Sequence, residues 1–311
     1  MAELRAKDGT WTFDGETVRI VPGRDRGVHR LRQVVGEIAV PLAAVAGIAF
    51  EPGRKGGRLR MRLREGADPF LQVCGGRISD DADPYQLAVE NDRAGAAEYF
   101  ADEVRDALTV ESVPDTPLDR YLLPAAQVPL GANGQDGSVA FDGDTVRLEW
   151  NWIAEERKRA TGTQRIPLSE IVAVEWHPAV GLDSGHLRFR VANPPPGSSQ
   201  PKHDPTCLLL WGTKKESGTS AVLAAAVVAR LPHPYAAPTP APAQTPGQTA
   251  VPGPVAAPQL GSGASSASPA QADADPDVVL RRLRELGDLH RDGILDDAEF
   301  AAAKAALLRR L

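Results

Sequence analysis

GTWTFDGETVRI, residues 9–20, returns as GSVAFDGDTVRL, residues 137–148, with seven of twelve positions identical. That return decides the architecture. The likeness runs on downstream. IAVPLAAVAGIAFEPG (38–53) is answered by QRIPLSEIVAVEWHPA (164–179), GGRLRMRL (56–63) by SGHLRFRV (184–191), and DPYQLAVE (83–90) by DPTCLLLW (204–211). The offset stays near 121–128 residues, far longer than a solenoid period. The chain therefore holds two copies of one domain, at 1–112 and 113–231.

Each copy reads as strands followed by one helix. Phe13-Asp14-Gly15 and Phe141-Asp142-Gly143 put a D-G turn between two β-prone runs, a hairpin signal. In RLRMRLR (58–64) the alternation is strict: Leu59, Met61 and Leu63 face one side, Arg58, Arg60, Arg62 and Arg64 the other. AGAAEYFADEVRDAL (94–108) and SGTSAVLAAAVVARL (217–231) close the two copies. In the first, Ala97, Phe100, Val104 and Leu108 recur at helical spacing and leave Glu98, Asp102 and Asp106 outside. An antiparallel sheet whose apolar end needs a cover finds it in that helix.

Residues 232–276 change in kind. Pro, Ala, Gly and Ser dominate, with almost no charge or large apolar side chain, so the segment reads as a disordered linker. Residues 277–311 are helical again, with Val279, Leu283 and Leu286 on one stripe and Phe300, Lys304 and Leu307 on another. A hairpin of two short helices buries little by itself. It calls for a partner, either another protein or a second copy, and Leu283, Leu286, Ile294, Phe300 and Leu307 are its candidate docking residues.

Composition narrows the class. Of 311 residues 42% are hydrophobic, net charge is −6 and the pI is near 5.6, which argues against a specific nucleic-acid partner. Cys74 and Cys207 form no ligand cluster and read as buried free thiols of a reducing compartment. The N-terminal residues lack the apolar core of a leader, and the longest apolar run, SAVLAAAVVARL (220–231), is too short to span a bilayer. A cytoplasmic location is the expectation.

These residues carry two resemblances. LRRLRELGDLHRDGILDDAEFAAAKAALL, near the C-terminus, resembles the bacterial short C-terminal domain, SHOCT. Its spaced Leu283, Leu286 and Leu289, Gly293, Ile294–Leu295, Glu299–Phe300, Lys304 and Leu307–Leu308 match, with Asp296 standing where Thr or Ser is usual. The repeated FDG…TVR[IL] and [VI]PL stretches resemble a bacterial domain of unknown function numbered 4429, which occurs in tandem and often carries this tail. The order of strands and closing helix also looks like pleckstrin-homology (PH) domains. The fold implied is α+β: two PH-like domains, each an antiparallel sheet or barrel with a C-terminal helix, then the linker and the hairpin. Such families generally act as interaction modules and bring no catalytic residues with them.

The residues themselves offer few sites. Lys55, Arg58 and Arg60 make a K-x-x-R-x-R spacing, with Arg24, Arg26, Arg30 and Arg32 upstream. Arg and Lys pair with phosphate oxygens, so an anionic lipid or phosphorylated ligand is one reading; a solvated strand face is the other. The second copy has His186 in place of Arg58. The six histidines share no metal spacing, and no G-x-S-x-G elbow or P-loop ending occurs. Glu155 and Glu156 sit in a charged loop. Trp150 and Trp152 would face one side together on a strand, as a docking surface or as part of a core or an inter-domain seam. DLHRDGILDDAEF (288–300) approaches a calcium-loop register, but His290 stands where an oxygen ligand belongs. Gly293 as a turn, with Asp296 and Glu299 as a capping box, explains the same residues. No metal, cofactor or enzymatic activity is implied. The expectation is an adaptor whose tail recruits or oligomerises, with anionic-ligand binding by the first domain as the alternative.

Overall fold

The computed structural model describes residues 1–236 apart from 55, 181–183, 196, 197, 199 and 212–216. Both repeats lie in one compact unit, Met1–Pro242. The tail expected at 277–311, with its five docking residues, and the linker beyond 236 lie outside the described residues.

The first repeat opens with four antiparallel strands in chain order, β1 (Ala2–Ala6), β2 (Gly9–Phe13), β3 (Thr17–Pro22) and β4 (Ile38–Pro41). Helix α1 (Arg30–Val35) interrupts the path from β3 to β4. The D-G turn is built as the sequence indicates. Asp14 Oδ1 accepts from the N–H groups of Glu16 and Thr17 at 2.9 and 2.7 Å, and Gly15 sits at φ 107°, a conformation that glycine adopts without strain. Trp11, Phe13, Val18 and Ile20 then point inward, none more than 3% exposed.

The stretch 38–53 is not one strand. The Leu42 N–H makes the last rung, to the Glu16 carbonyl at 2.7 Å, and a short 3-10 turn after Pro41 then redirects the chain into a second sheet. That sheet is β5 (Val45–Gly53), β6 (Gly56–Leu63) and β7 (Gln86–Val89), again antiparallel. Helix α2 (Pro69–Cys74) lies between β6 and β7, and α3 (Ala94–Val110) closes the repeat. Leu59, Met61 and Leu63 are buried as their alternation requires. Ala97, Phe100 and Val104 of α3 seat against them, with the Phe100 ring edge-on to Trp11 at 6.2 Å.

The second repeat follows the same plan: β8 (Leu130–Asn133), β9 (Gly137–Phe141), β10 (Thr145–Trp150), α4 (Glu156–Ala160) and β11 (Gln164–Pro167), then β12 (Ile171–His177), β13 (Gly185–Val191) and β14 (Cys207–Leu210), then α5 (Ser217–Val228). The fold is α+β. Among the described residues each repeat has two separate sheets rather than a closed barrel, because the proline corner ends one ladder before the next begins. No described helix is long and apolar enough to cross a membrane.

The two closing helices differ, and the difference joins the repeats. Helix α3 keeps a charged outer face. Helix α5 has no polar stripe, and Ala221, Leu223, Ala224, Ala225, Ala226 and Val227 are all buried. A helix apolar all round must be covered all round. The second sheet system covers one side, and α1 and α2 of the first repeat cover the other. Leu31, Phe70, Val73 and Cys74 thus belong to the core of the second repeat. Burying such side chains contributes about 1.5–3 kcal/mol each, enough to lock two small domains into one body.

The chain then returns to the first repeat. Residues 232–236 begin the stretch that composition marks as disordered, yet they hold a defined place. His233 Nε2 donates to the Gly66 carbonyl at 2.9 Å, the Tyr121 ring meets the His233 ring at 4.4 Å, and Tyr235 OH donates to Glu65 Oε2 at 3.0 Å. The two rings supply what Pro and Ala lack, surface to bury and polar atoms to pair.

Candidate binding surfaces

Of the basic trio, Lys55 lies outside the described residues. Arg58 and Arg60 stand side by side on the outer face of β6, and carboxylates already meet both. Arg58 pairs with Asp80, with Asp81 at 3.9 Å. Arg60 reaches Glu51 at 3.1 Å and Asp80 at 2.9 Å. The Asp80 carboxyl is held below its usual range by a hydrogen bond from Gln86 and by the two guanidinium groups. Arg62 meets Asp115 at 3.1 Å. Arg64, just past the strand, turns inward to the carbonyls of Ala43 and Thr116, both at 2.9 Å. The alternation that looked like a basic face is therefore largely neutralised. Arg24 and Arg26, on the loop after β3, and Arg30, the first residue of α1, are exposed and enter none of the ion pairs among the described residues.

Arg32 belongs to a different structure, built twice. In the β1–β2 turn, Asp8 pairs with the buried Arg32 of α1 and accepts from the Ala88 N–H of β7 at 3.0 Å. In the β8–β9 turn, Asp136 pairs with Lys158 of α4 at 2.6 Å and accepts from the Leu209 N–H of β14 at 2.8 Å. Lys158 also donates to the Cys207 carbonyl at 2.7 Å and sits 4.9 Å from the centre of the Trp150 ring. Each pair ties a turn, a short helix and the last strand of the other sheet. The signal was present in the sequence: Asp8 and Asp136 stand at equivalent positions, immediately before the quoted repeat.

Trp150 and Trp152 do not share a face. Trp150 is the last residue of β10 and packs on the core, while Trp152 lies past the strand end and is 41% exposed. Glu155 and Glu156 stay near the surface, Glu155 with Lys202 at 2.7 Å. His177 and His186 stack across β12 and β13 with ring centres 4.4 Å apart. Burial, then the neighbouring His177, lowers His186 to about 4. Cys74 and Cys207 are buried and free, and burial pushes the Cys207 thiol up to about 12, so neither is poised as a nucleophile. Among the described residues no three His, Cys, Asp or Glu side chains gather as a metal would need.

Docking of the repeats creates a cleft of about 300 Å³. β4, the start of α2, residues 123–127 and α5 line it. At its wall the buried Asp68 carboxyl accepts from Phe70 N–H at 2.8 Å and from Tyr85 OH at 2.5 Å. Burial raises the Asp68 carboxyl and pushes the Tyr85 phenol well up. The cleft joins residues from both copies, so no pattern local to one copy announces it.

Comparison with known families matches this plan. The model described as a domain of unknown function, DUF4429, matches residues 11–105 and again 139–228. The short C-terminal domain model, SHOCT, matches residues 281–308. No curated protein matches the chain.

Proposed function

The chain belongs to the DUF4429 family, carrying the domain twice with a SHOCT segment behind it, and from that premise we propose that it is a non-enzymatic adaptor of the cytoplasm. The two repeats form the body, and the tail recruits a protein partner or a second copy. One observation carries this reading: the buried ionic groups of the body are spent on holding it together. Arg32 is paired with Asp8 and Lys158 with Asp136, and the Asp68 carboxyl accepts from Tyr85 OH and Phe70 N–H. Four strands, a corner, three strands and a closing helix also follow the order of a PH domain, which supports an interaction module by analogy of fold. The test compares full-length protein with a chain ending at residue 236. Mass by light scattering and partners by affinity capture should both change. Identical mass and identical partners would sink the reading.

A second reading, recognition of an anionic ligand by the first repeat, is favoured by the unpaired Arg24, Arg26 and Arg30 over the neutralised Arg58 and Arg60. It expects low-salt sedimentation with phosphatidylserine vesicles that is lost on reversing those three charges. Vesicles that leave the protein in the supernatant at low salt would end it.

A further inference from the structure

Strand β4 is the last strand of its sheet, and hydrogen-bond parity fixes which way its backbone points. Asp14 N–H bonds to the Thr17 carbonyl across the β2–β3 turn, and Gly23 N–H to the Asp8 carbonyl. Counting along the register, Arg19 therefore turns its peptide groups toward β2, and Val18 and Ile20 turn theirs toward β4. Their partners on β4 are Val40 and Ile38, while Ala39 stands opposite Arg19. Ala39 thus directs its N–H and C=O away from β3. It is exposed and has no backbone or side-chain partner among the described residues. An unpaired strand edge of this kind is a template for another strand.

The cleft lies against that edge. Phe70, Leu123 and Val222 give it apolar walls, and its volume of about 300 Å³ suits one apolar side chain with its flanking peptide groups. Its lining holds one exposed carboxylate, Glu37, and no lysine or arginine, while the Asp68 carboxyl is buried and bonded to Phe70 and Tyr85. Glu37 Oε1 meets Arg19, and its other oxygen has no partner among the described residues. Free edge, apolar seat and one exposed carboxylate occur together.

We propose that β4 and this cleft take an extended peptide from a partner protein, paired to the Ala39 backbone, with one apolar side chain seated between Phe70, Leu123 and Val222 and basic residues beside it. Main-chain pairing supplies affinity in such an arrangement, and the seat supplies selectivity. All the residues that form the site belong to the body.

The test uses full-length protein labelled with ¹⁵N-alanine and four capped peptides, Lys-Val-X-Val-Lys, with X as Leu, Ile, Val or Phe. At least one should shift the Ala39 amide saturably at roughly millimolar concentration or below. N-methylation of the central residue, or Asp as X, should abolish the shift. Ala39→Pro removes an N–H that the sheet does not use, so the melting temperature should hold while binding weakens about tenfold. Val222→Phe, which fills the seat, should weaken it independently. Four outcomes overturn the proposal: no peptide binds, the shifts fall elsewhere, Ala39→Pro binds as the parent does, or the Ala39 amide of the protein alone resists hydrogen exchange. The last would mean that the chain itself or a second copy already covers the edge.

Discussion

Lys158 Nζ lies 2.6 Å from Asp136 Oδ2, and neither side chain is more than 2% exposed. A charge so buried is tolerated only with its partner present. Lys158→Met should leave Asp136 without its counter-ion and cost about 3–5 kcal/mol in urea unfolding. The pair Lys158→Met with Asp136→Asn, which removes the charge and keeps an acceptor for the Leu209 N–H, should recover much of that loss. Equal destabilisation by the single and double variants would mean that the helix, not the charge pair, matters.

Phe70 belongs to the first repeat by sequence and to the second repeat's core by contact. Phe70→Ala should cost about 3–5 kcal/mol. Hydrogen exchange should rise in α5 and β12 more than in α3. A rise confined to the first repeat would show that the repeats hold separately.

His186 makes stability depend on acidity. Its pKa is lowered from 6.5 to about 4 by burial first and by His177 next, with Arg188 adding and Glu175 opposing. The unfolded chain therefore binds the proton more readily between those values. The contribution is complete above pH 6.5 and is lost as pH falls toward 4. His186→Phe should keep the stack on His177 and flatten the slope of unfolding free energy across that window. Parallel pH profiles would refute it.

Gly66 anchors the returning strap. At φ +78° it occupies the left-handed region, and an added Cβ would lie 2.7 Å from both the His233 ring and the Leu118 carbonyl. Gly66→Val should destabilise by at least about 1–2 kcal/mol from backbone strain alone and open residues 232–236 to protease. His233→Ala should open the same residues with a smaller loss. A strap equally protected in both variants would mean that it is held by something else.

The repeat, the D-G hairpins, the alternation of β6 and the stripe of α3 were all legible in the sequence, because each is set by neighbours a few residues apart. What was not legible depends on distance along the chain. Ligand patch and solvated strand face both stayed open for Arg58 and Arg60 because Asp80 lies about twenty residues on, in a loop whose path no periodicity predicts. The run SAVLAAAVVARL was legible as a helix, yet its lack of a polar face pointed to a second cover that only the partner repeat could supply. The tandem tryptophans misled because β10 ends at Trp150, and past a strand end alternation no longer assigns a face.

The docking of α1 and α2 onto α5 joins unlike surfaces, and unlike surfaces can in principle be stacked without end. The equivalent outer face on the first repeat is that of α3, where Glu98, Asp102 and Asp106 are exposed. That helix keeps its outer face in water and so lacks the second apolar side that α5 presents to α1 and α2.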